Sequence, residues 1–292
     1  MSLRTASALF LALLFNLPHP TAQERPLPDK DAFLAETRRH LQLDSTLQRS
    51  YVYEETRKQL TVDKDGQTRE TSVKVYESYP GLPGEDRWER LISQNGNPVP
   101  LVERAQQDRQ RKDKVTLMAA RLNAEPDKER NRLAREREKQ RQELDAIIDD
   151  MFAVFDIRMV GREQIEGHDT IAFALTPRPE ARPKTKEGGQ MMHFRVNTWI
   201  SETDHELAKV EAVAIDNVSI AMGPLARLNK GATLTFTRRK VNGEVWLPAS
   251  MNYNASVRVG LVFTTRRNGS SEFSNYRKYV VDTQTTFNEA TK

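Results

Sequence analysis

Four histidines follow the N-terminal segment, His40, His168, His193 and His205, and they lie far apart in different local settings. His193 falls on the polar side of an alternating run, while His168 and His205 sit in or beside turns. A metal site needs several such ligands to converge. No spacing of the His-Glu-x-x-His kind brings two of them onto one helix face. Four surface or strand histidines is the simpler expectation. Carboxylates cluster once, at Asp145, Asp149 and Asp150. A carboxylate pair does acid–base work when its surroundings separate the two pKa values, and this trio stands on a helix that reads as exposed, as solvated charges. There is no P-loop, no dinucleotide-binding glycine pattern and no Gly-x-Ser-x-Gly elbow. The chain has no cysteine, which excludes disulfides, thiolate metal sites, a cysteine nucleophile and lipidation of its own N-terminus. No cofactor or metal is implied, and the expectation is a non-enzymatic protein. A hydrolase assembled from remote residues stays open, with no spacing in its favour.

The elements that would position any site are mostly strands. From about Gln190 to Asp282, apolar and polar residues alternate. Met192, Phe194, Val196 and Ile200 share one face, with His193, Arg195, Asn197 and Trp199 on the other. Ala232, Leu234 and Phe236 alternate with threonines. Val257, Val259, Leu261 and Phe263 alternate with Ser256, Arg258 and Gly260. Side chains in a strand point to opposite sides in turn, so the pattern predicts a sheet with one apolar and one polar face. Such a sheet must close on itself or find a cover. Asn242-Gly243 and Asn268-Gly269 carry the Asn-Gly signature of tight hairpins. Upstream, strands are expected at Tyr51–Val62, Thr71–Tyr79 and Arg87–Ser93. A further run opens at Asp156 and continues through Ile171, Phe173 and Leu175. Pro177–Gly189 reads as a loop.

Two stretches are helical. Asp29–Leu43 has a partial apolar stripe including Phe33, Leu34 and Thr37, with Asp29 or Asp31 as cap. Leu101–Phe155 contains no glycine, breaks near Glu125-Pro126 and is densely charged from Gln106 to Gln142. Opposite charges three and four residues apart support a helix standing largely in water. The same charges could instead make an arm for an anionic partner or for membrane headgroups. Val115, Met118 and Leu122 sit at helical spacing, and so do Leu144, Ile147, Ile148, Met151 and Phe155, with almost no apolar stripe between the two sets.

Met1 to about Ala22 reads as a secretory signal peptide: Arg4, then the apolar run Ala6–Leu17, then Pro18–Ala22. The alternative is an uncleaved anchor. The apolar run is short for a bilayer span, which takes about 20 residues. The expected location is the periplasm, and residues 23–292 read as a single domain with a helical insertion at about 99–155. Basic residues exceed acidic ones by only 45 to 41, and the signs are mixed throughout, which argues against nucleic acid as a partner.

The order of helix, β meander, helical insertion and long antiparallel run resembles the periplasmic lipoprotein carrier superfamily, of the LolA/LolB-like kind. The likeness is carried by Thr198-Trp199-Ile200 with Leu207–Ala212, and by Gly231 through Arg238-Arg239 with Asn242–Pro248. It is a likeness of layout, and the charged stretch Gln106–Gln142 is longer and more polar than a simple lid. The resemblance implies an α+β fold: a strongly curved antiparallel β-sheet, an incomplete barrel, covered by helices. It also implies a lipid acyl chain or lipoprotein as ligand, held between sheet and helices. The residues expected to line that cavity are Phe173, Leu175, Phe194, Val196, Leu234, Phe236, Val259, Leu261 and Phe263, with Ile148, Met151 and Phe155 from the covering helix. The same residues would equally serve as plain core. The alternative function is an envelope regulatory or assembly protein that binds a partner protein through the charged helices.

Overall fold

Strands dominate the computed structural model, which describes residues 25–43, 48, 50–62, 67–82, 85–219, 226–259 and 263–279. In chain order the elements are α1 (Lys30–Leu43), β1 (Tyr51–Val62), β2 (Thr68–Tyr79), β3 (Trp88–Gln94), β4 (Asn97–Pro98), α2 (Leu101–Ala124) and α3 (Pro126–Val154). Then come β5 (Phe155–Ile165), β6 (His168–Pro177), α4 (Lys186–Met191), β7 (Phe194–Ser201) and β8 (Leu207–Ala214). The chain continues through β9 (Val218–Ser219), β10 (Ala226–Leu228), β11 (Thr233–Val241), β12 (Val245–Val259) and β13 (Phe263–Lys278). Eleven of the strands form one antiparallel path, β4-β3-β2-β1-β13-β12-β11-β8-β7-β6-β5, and β9 and β10 add a side branch on β12. The two ends of the path do not pair, so the sheet is open. Pairing of β1 with β13 joins the early meander to the C-terminal run. Bulges interrupt the register at six points, among them Met159/Gly161, Trp199/Ile200 and Thr237/Arg238. Each adds a residue to one strand and bends it.

Tight turns fall where the sequence demands left-handed backbone. Asn95-Gly96, Glu166-Gly167 and Asn242-Gly243 all have positive φ at both residues, the geometry that matches strand twist in two-residue hairpins. Asn268-Gly269 differs from expectation: it lies inside β13, paired with β12 on one side and β1 on the other. The glycine is there for space. A Cβ at Gly269 would lie 2.4 Å from Cζ of Tyr253, whose ring covers it. The run Val257–Phe263 also differs from its reading as one strand, because β12 ends at Val259 and β13 starts at Phe263.

Pro126 opens α3 directly after Glu125, in the position where the missing N–H costs nothing. On α2, the Gln107 amide receives Leu91 N–H at 2.9 Å and donates to Leu91 C=O at 3.3 Å. A side chain thereby takes the place of the next strand on the edge of β3. The main core gathers Phe33 of α1, Val154 of α3, Phe155, Ile171, Phe173 and Leu175 of β5–β6, and Ile200 of β7. A smaller cluster of Tyr51, Val245 and Leu247 ties β1 to the start of β12.

Truncating Phe173, which is 1% exposed, to Ala should lower unfolding free energy by about 3–5 kcal/mol. Leu234→Ala, at a site 37% exposed, should cost under about 1 kcal/mol. Urea denaturation followed by circular dichroism distinguishes the two; equal losses would mean that Leu234 is part of the packed core.

Candidate functional site

Direct cross-strand partners share a sheet face, so the register assigns faces. One row runs Phe173–Thr198–Val210–Phe236–Met251–Ser271–Arg57–Lys74 from β6 to β2. A second row runs Leu175–Val196–Ala212–Leu234–Tyr253–Gly269–Gln59. Both rows lie on the face that bears Phe173, here called the inner face. It has three zones. From β5 to β7 it is apolar and roofed by helices. Across β8, β11 and β12 it stays mainly apolar but is less covered: Val210, Ala212, Phe236, Met251 and Tyr253 are half-buried and Leu234 is exposed. At β1 and β2 it turns ionic: the guanidinium of Arg57 grips Glu55 through two hydrogen bonds of 2.7 Å and lies 4.5 Å from the Tyr76 ring centre.

The roof has two parts. α1 is capped by Asp29, whose carboxylate accepts from Ala32 N–H at 2.9 Å. Among its described side chains it buries Phe33 and Thr37, with Leu34 packed at the cluster's margin. Phe33 stacks on Phe173 with ring centroids 5.8 Å apart. Arg38 pairs with Asp149 of α3 and lies over the Phe152 ring. The second part is the end of α3 with α4. Met151 of α3 and Met191 and Met192 at the end of α4 pack against the cluster.

A buried carboxylate holds that second part together. Asp150 is 2% exposed. It accepts from Lys184 N–H at 2.9 Å, from Thr185 N–H at 2.6 Å and from the Thr185 hydroxyl at 2.6 Å. Thr185 Oγ1 in turn accepts from Gly188 N–H at 2.9 Å and caps α4. Gly188 fits against the latch because it lacks a side chain; a Cβ there would stand 2.3 Å from Asp150 Oδ2. Burial pushes the Asp150 carboxyl up, but the hydrogen bonds from Thr185 and Lys184 outweigh it and hold the group below its ordinary value. The reading of Asp145, Asp149 and Asp150 as solvated is corrected here for Asp150. Loop residues thirty-odd positions later supply its donors, and spacing within a helix carries no sign of them. Residues 177–189 are likewise not all loop, since α4 begins at Lys186.

The structure brings together Phe155, Phe173, Leu175, Val196 and Met151 in the roofed cluster. Ile148 is buried on α3 outside that cluster. Phe194 is half-buried at the start of β7, and Leu234 and Phe236 belong to the less covered zone. Val259 and Phe263 end β12 and begin β13, with side chains outside the described residues, as is Leu261 altogether. A cleft of about 230 Å³ between α2 and α3 is lined by Leu117, Met118, Arg121, Glu129, Arg132 and Glu136, among others, and includes none of the residues expected to line a cavity. Among the described residues, no three histidines or carboxylates are grouped to hold a metal, and no helix is long and apolar enough to cross a membrane. Sequence reasoning missed one cluster. His40 and His205 meet with centroids 5.9 Å apart, and Glu206 stands 3.6 Å from His40 Nδ1. No signal in the sequence links the two, since the contact forms only where the fold brings α1 to the β7–β8 turn.

No protein-family model matches the sequence, and no curated protein matches it. Solved structures do. The chain is similar to a putative outer membrane lipoprotein-sorting protein domain from Vibrio parahaemolyticus, with 11% identity and a TM-score of 0.35 over 87% of this chain and 94% of that one. It is also similar to a LolA superfamily protein from Nitrosomonas europaea, with 8% identity and a TM-score of 0.30 over 88% and 97%. A third likeness is to the MucA/MucB complex of Pseudomonas aeruginosa, with 10% identity and a TM-score of 0.20 over 86% and 99%. Superposition this loose says nothing of ligand or partner.

Asp150→Ala should cost about 2–3 kcal/mol, because several buried donors lose their acceptor together. The acid sign follows from a depressed carboxyl: its stabilisation is complete above the unfolded pKa, near 3.9, and is lost as pH falls through the lower folded value. The protection factors of the amides of 178–191 should therefore fall below about pH 4 in the wild type, and be low at all pH values in Asp150→Ala. Protection that survives the substitution would remove the latch.

Proposed function

We propose that this chain is an exported, non-enzymatic binding protein of the periplasm that holds a lipid acyl chain, free or on a lipoprotein, against the inner face. The observation that carries the reading is the apolar strip that continues from the roofed core into the less covered zone: Val196–Ala212–Leu234–Tyr253 beside Val210–Phe236–Met251. Water-facing apolar surface is unfavourable by about 25 cal/mol per Å², and contiguous patches of it mark binding sites more often than idle surface. An acyl chain laid along this strip would pass from the Phe33–Phe173 stack toward the Arg57–Glu55 pair, with its polar end at the ionic zone. Capture needs no covalent step. α1, with its few buried residues, would act as a hinged cover, while the Asp150 latch keeps α3 and α4 in place. Phe155, Phe173, Leu175, Val196, Ile148 and Met151 would then supply the packed floor and roof, and Phe194, Leu234 and Phe236 the contact surface. Export follows from the signal-like N-terminus.

A second reading is supported by α2. Its Leu101 and Val102 are each 76% exposed and Leu117 is 54% exposed. A partner protein in the envelope could cover these and the cleft between α2 and α3.

A fluorescent fatty acid titration tests the first reading. Leu234→Glu with Phe236→Glu should weaken binding at least tenfold while leaving the urea midpoint nearly unchanged, since neither side chain is fully buried. Unchanged affinity in that variant, with tight binding in the wild type, would move the site elsewhere. No binding by the wild type would favour the partner reading.

A further inference from the structure

At the end of α1 the cover meets the β7–β8 turn through two histidines. His205 has left-handed backbone, with φ of 54°. Its ring packs on Phe33 with centroids 4.7 Å apart, and the His40 ring stands 5.9 Å from it. Phe33 is the side chain that seats α1 on Phe173. The Nδ1 atom of His205 is buried and has no hydrogen-bond partner.

The charged groups around that ring are Glu36, Arg39 and His40 on α1, and Asp204 in the turn, with Glu206 beyond His40. Every acid among them already serves another group. Glu36 pairs with Arg39. Asp204 accepts from Lys240 and from Trp246 Nε1, each at 2.8 Å. Glu206 lies 3.3 Å from Arg238, a buried guanidinium. A proton added to His205 therefore finds no free carboxylate, and it places a positive charge beside Arg39 and His40.

We propose that His205 is an acid-sensitive release for α1: the neutral ring seats the Phe33 anchor, and the charged ring frees the helix and uncovers the inner face. The proposal rests on the reading of α1 as a cover. Burial, and then the nearby His40, hold the His205 imidazole below its ordinary value. A group depressed in this way stabilises the docked helix fully above its unfolded pKa, near 6.5, and ceases to do so as pH falls through the docked value. Protonation of Asp150 lies lower, below about pH 4, so α1 leaves while α3 and α4 remain latched. The release thus opens one side of the roof only.

The chain has no cysteine, so two introduced ones carry spin labels without interference. Asp31→Cys on α1 and Thr176→Cys on β6 are both at exposed positions. Pulsed electron paramagnetic resonance between pH 7.5 and pH 5, with no lipid present, should show the long-distance population rising several-fold. His205→Asn, which tolerates left-handed backbone, should abolish that rise. His40→Gln should weaken the rise and move it to lower pH, because the docked His205 imidazole then carries a proton without a charged His40 beside it. Constant distances in the unsubstituted background, or a transition that persists unchanged in His205→Asn and is unmoved in His40→Gln, would overturn the proposal. Because no lipid is present, opening without fatty acid binding counts against the ligand reading alone, and binding without opening counts against the release alone.

Discussion

A two-faced sheet must hide its apolar side, and the described helices of this chain offer too little apolar surface to hide all of it. That shortage governs the architecture. α1 contributes Phe33 and Thr37 to the interior, and α3 contributes mainly its last turns. The first two-thirds of α3 spends its side chains on ion pairs within the helix, such as Arg132 with Glu129 and Glu136, and Arg141 with Glu138 and Asp145. The exposed pairs, such as Arg141 with Glu138, add little stability each, but opposite charges three and four residues apart support a helix standing in water. The cover therefore ends near β7, and the inner face beyond it, across β8, β11 and β12, is mainly apolar and only half-buried.

What cover there is depends on polar fastenings. Asp150 gathers the N–H groups of Lys184 and Thr185 and so fixes α4. Arg162 ties the segment before α1 to the sheet, accepted by Arg25 C=O at 2.7 Å and by Glu202 at 2.8 Å. Glu202 is held ionised by Arg162 against the opposing effect of burial. An apolar seam alone would be strong but indifferent to conditions. A seam closed by a few titratable groups can be stable at neutral pH and still come apart.

Much of the fold was legible because the period-two alternation is local. Leu234 and Phe236 fall on the face that the alternation assigns them, and Asn242-Gly243 turns where a two-residue hairpin requires it. The failures come from contacts distant in sequence. Asn268-Gly269 has the same two letters as a hairpin, yet two neighbouring strands and the ring of Tyr253 hold it extended. Asp150 looked solvated because its donors come from another segment. His40 and His205 looked unrelated because the fold alone brings α1 to the β7–β8 turn. For the site, alternation identified which residues share the inner face but not which of them a helix covers. Phe173 and Leu234 read alike in sequence, and the packing of Phe33 on one and not the other separates floor from open strip.

The most direct test is native mass spectrometry of the protein isolated without detergent from its own cell envelope. The account predicts a fraction of molecules carrying one added lipid-sized mass, which collisional activation strips off and which the Leu234→Glu, Phe236→Glu variant lacks. A single mass equal to the bare chain in every preparation, or an adduct that the variant retains in full, would contradict an acyl ligand on the inner face.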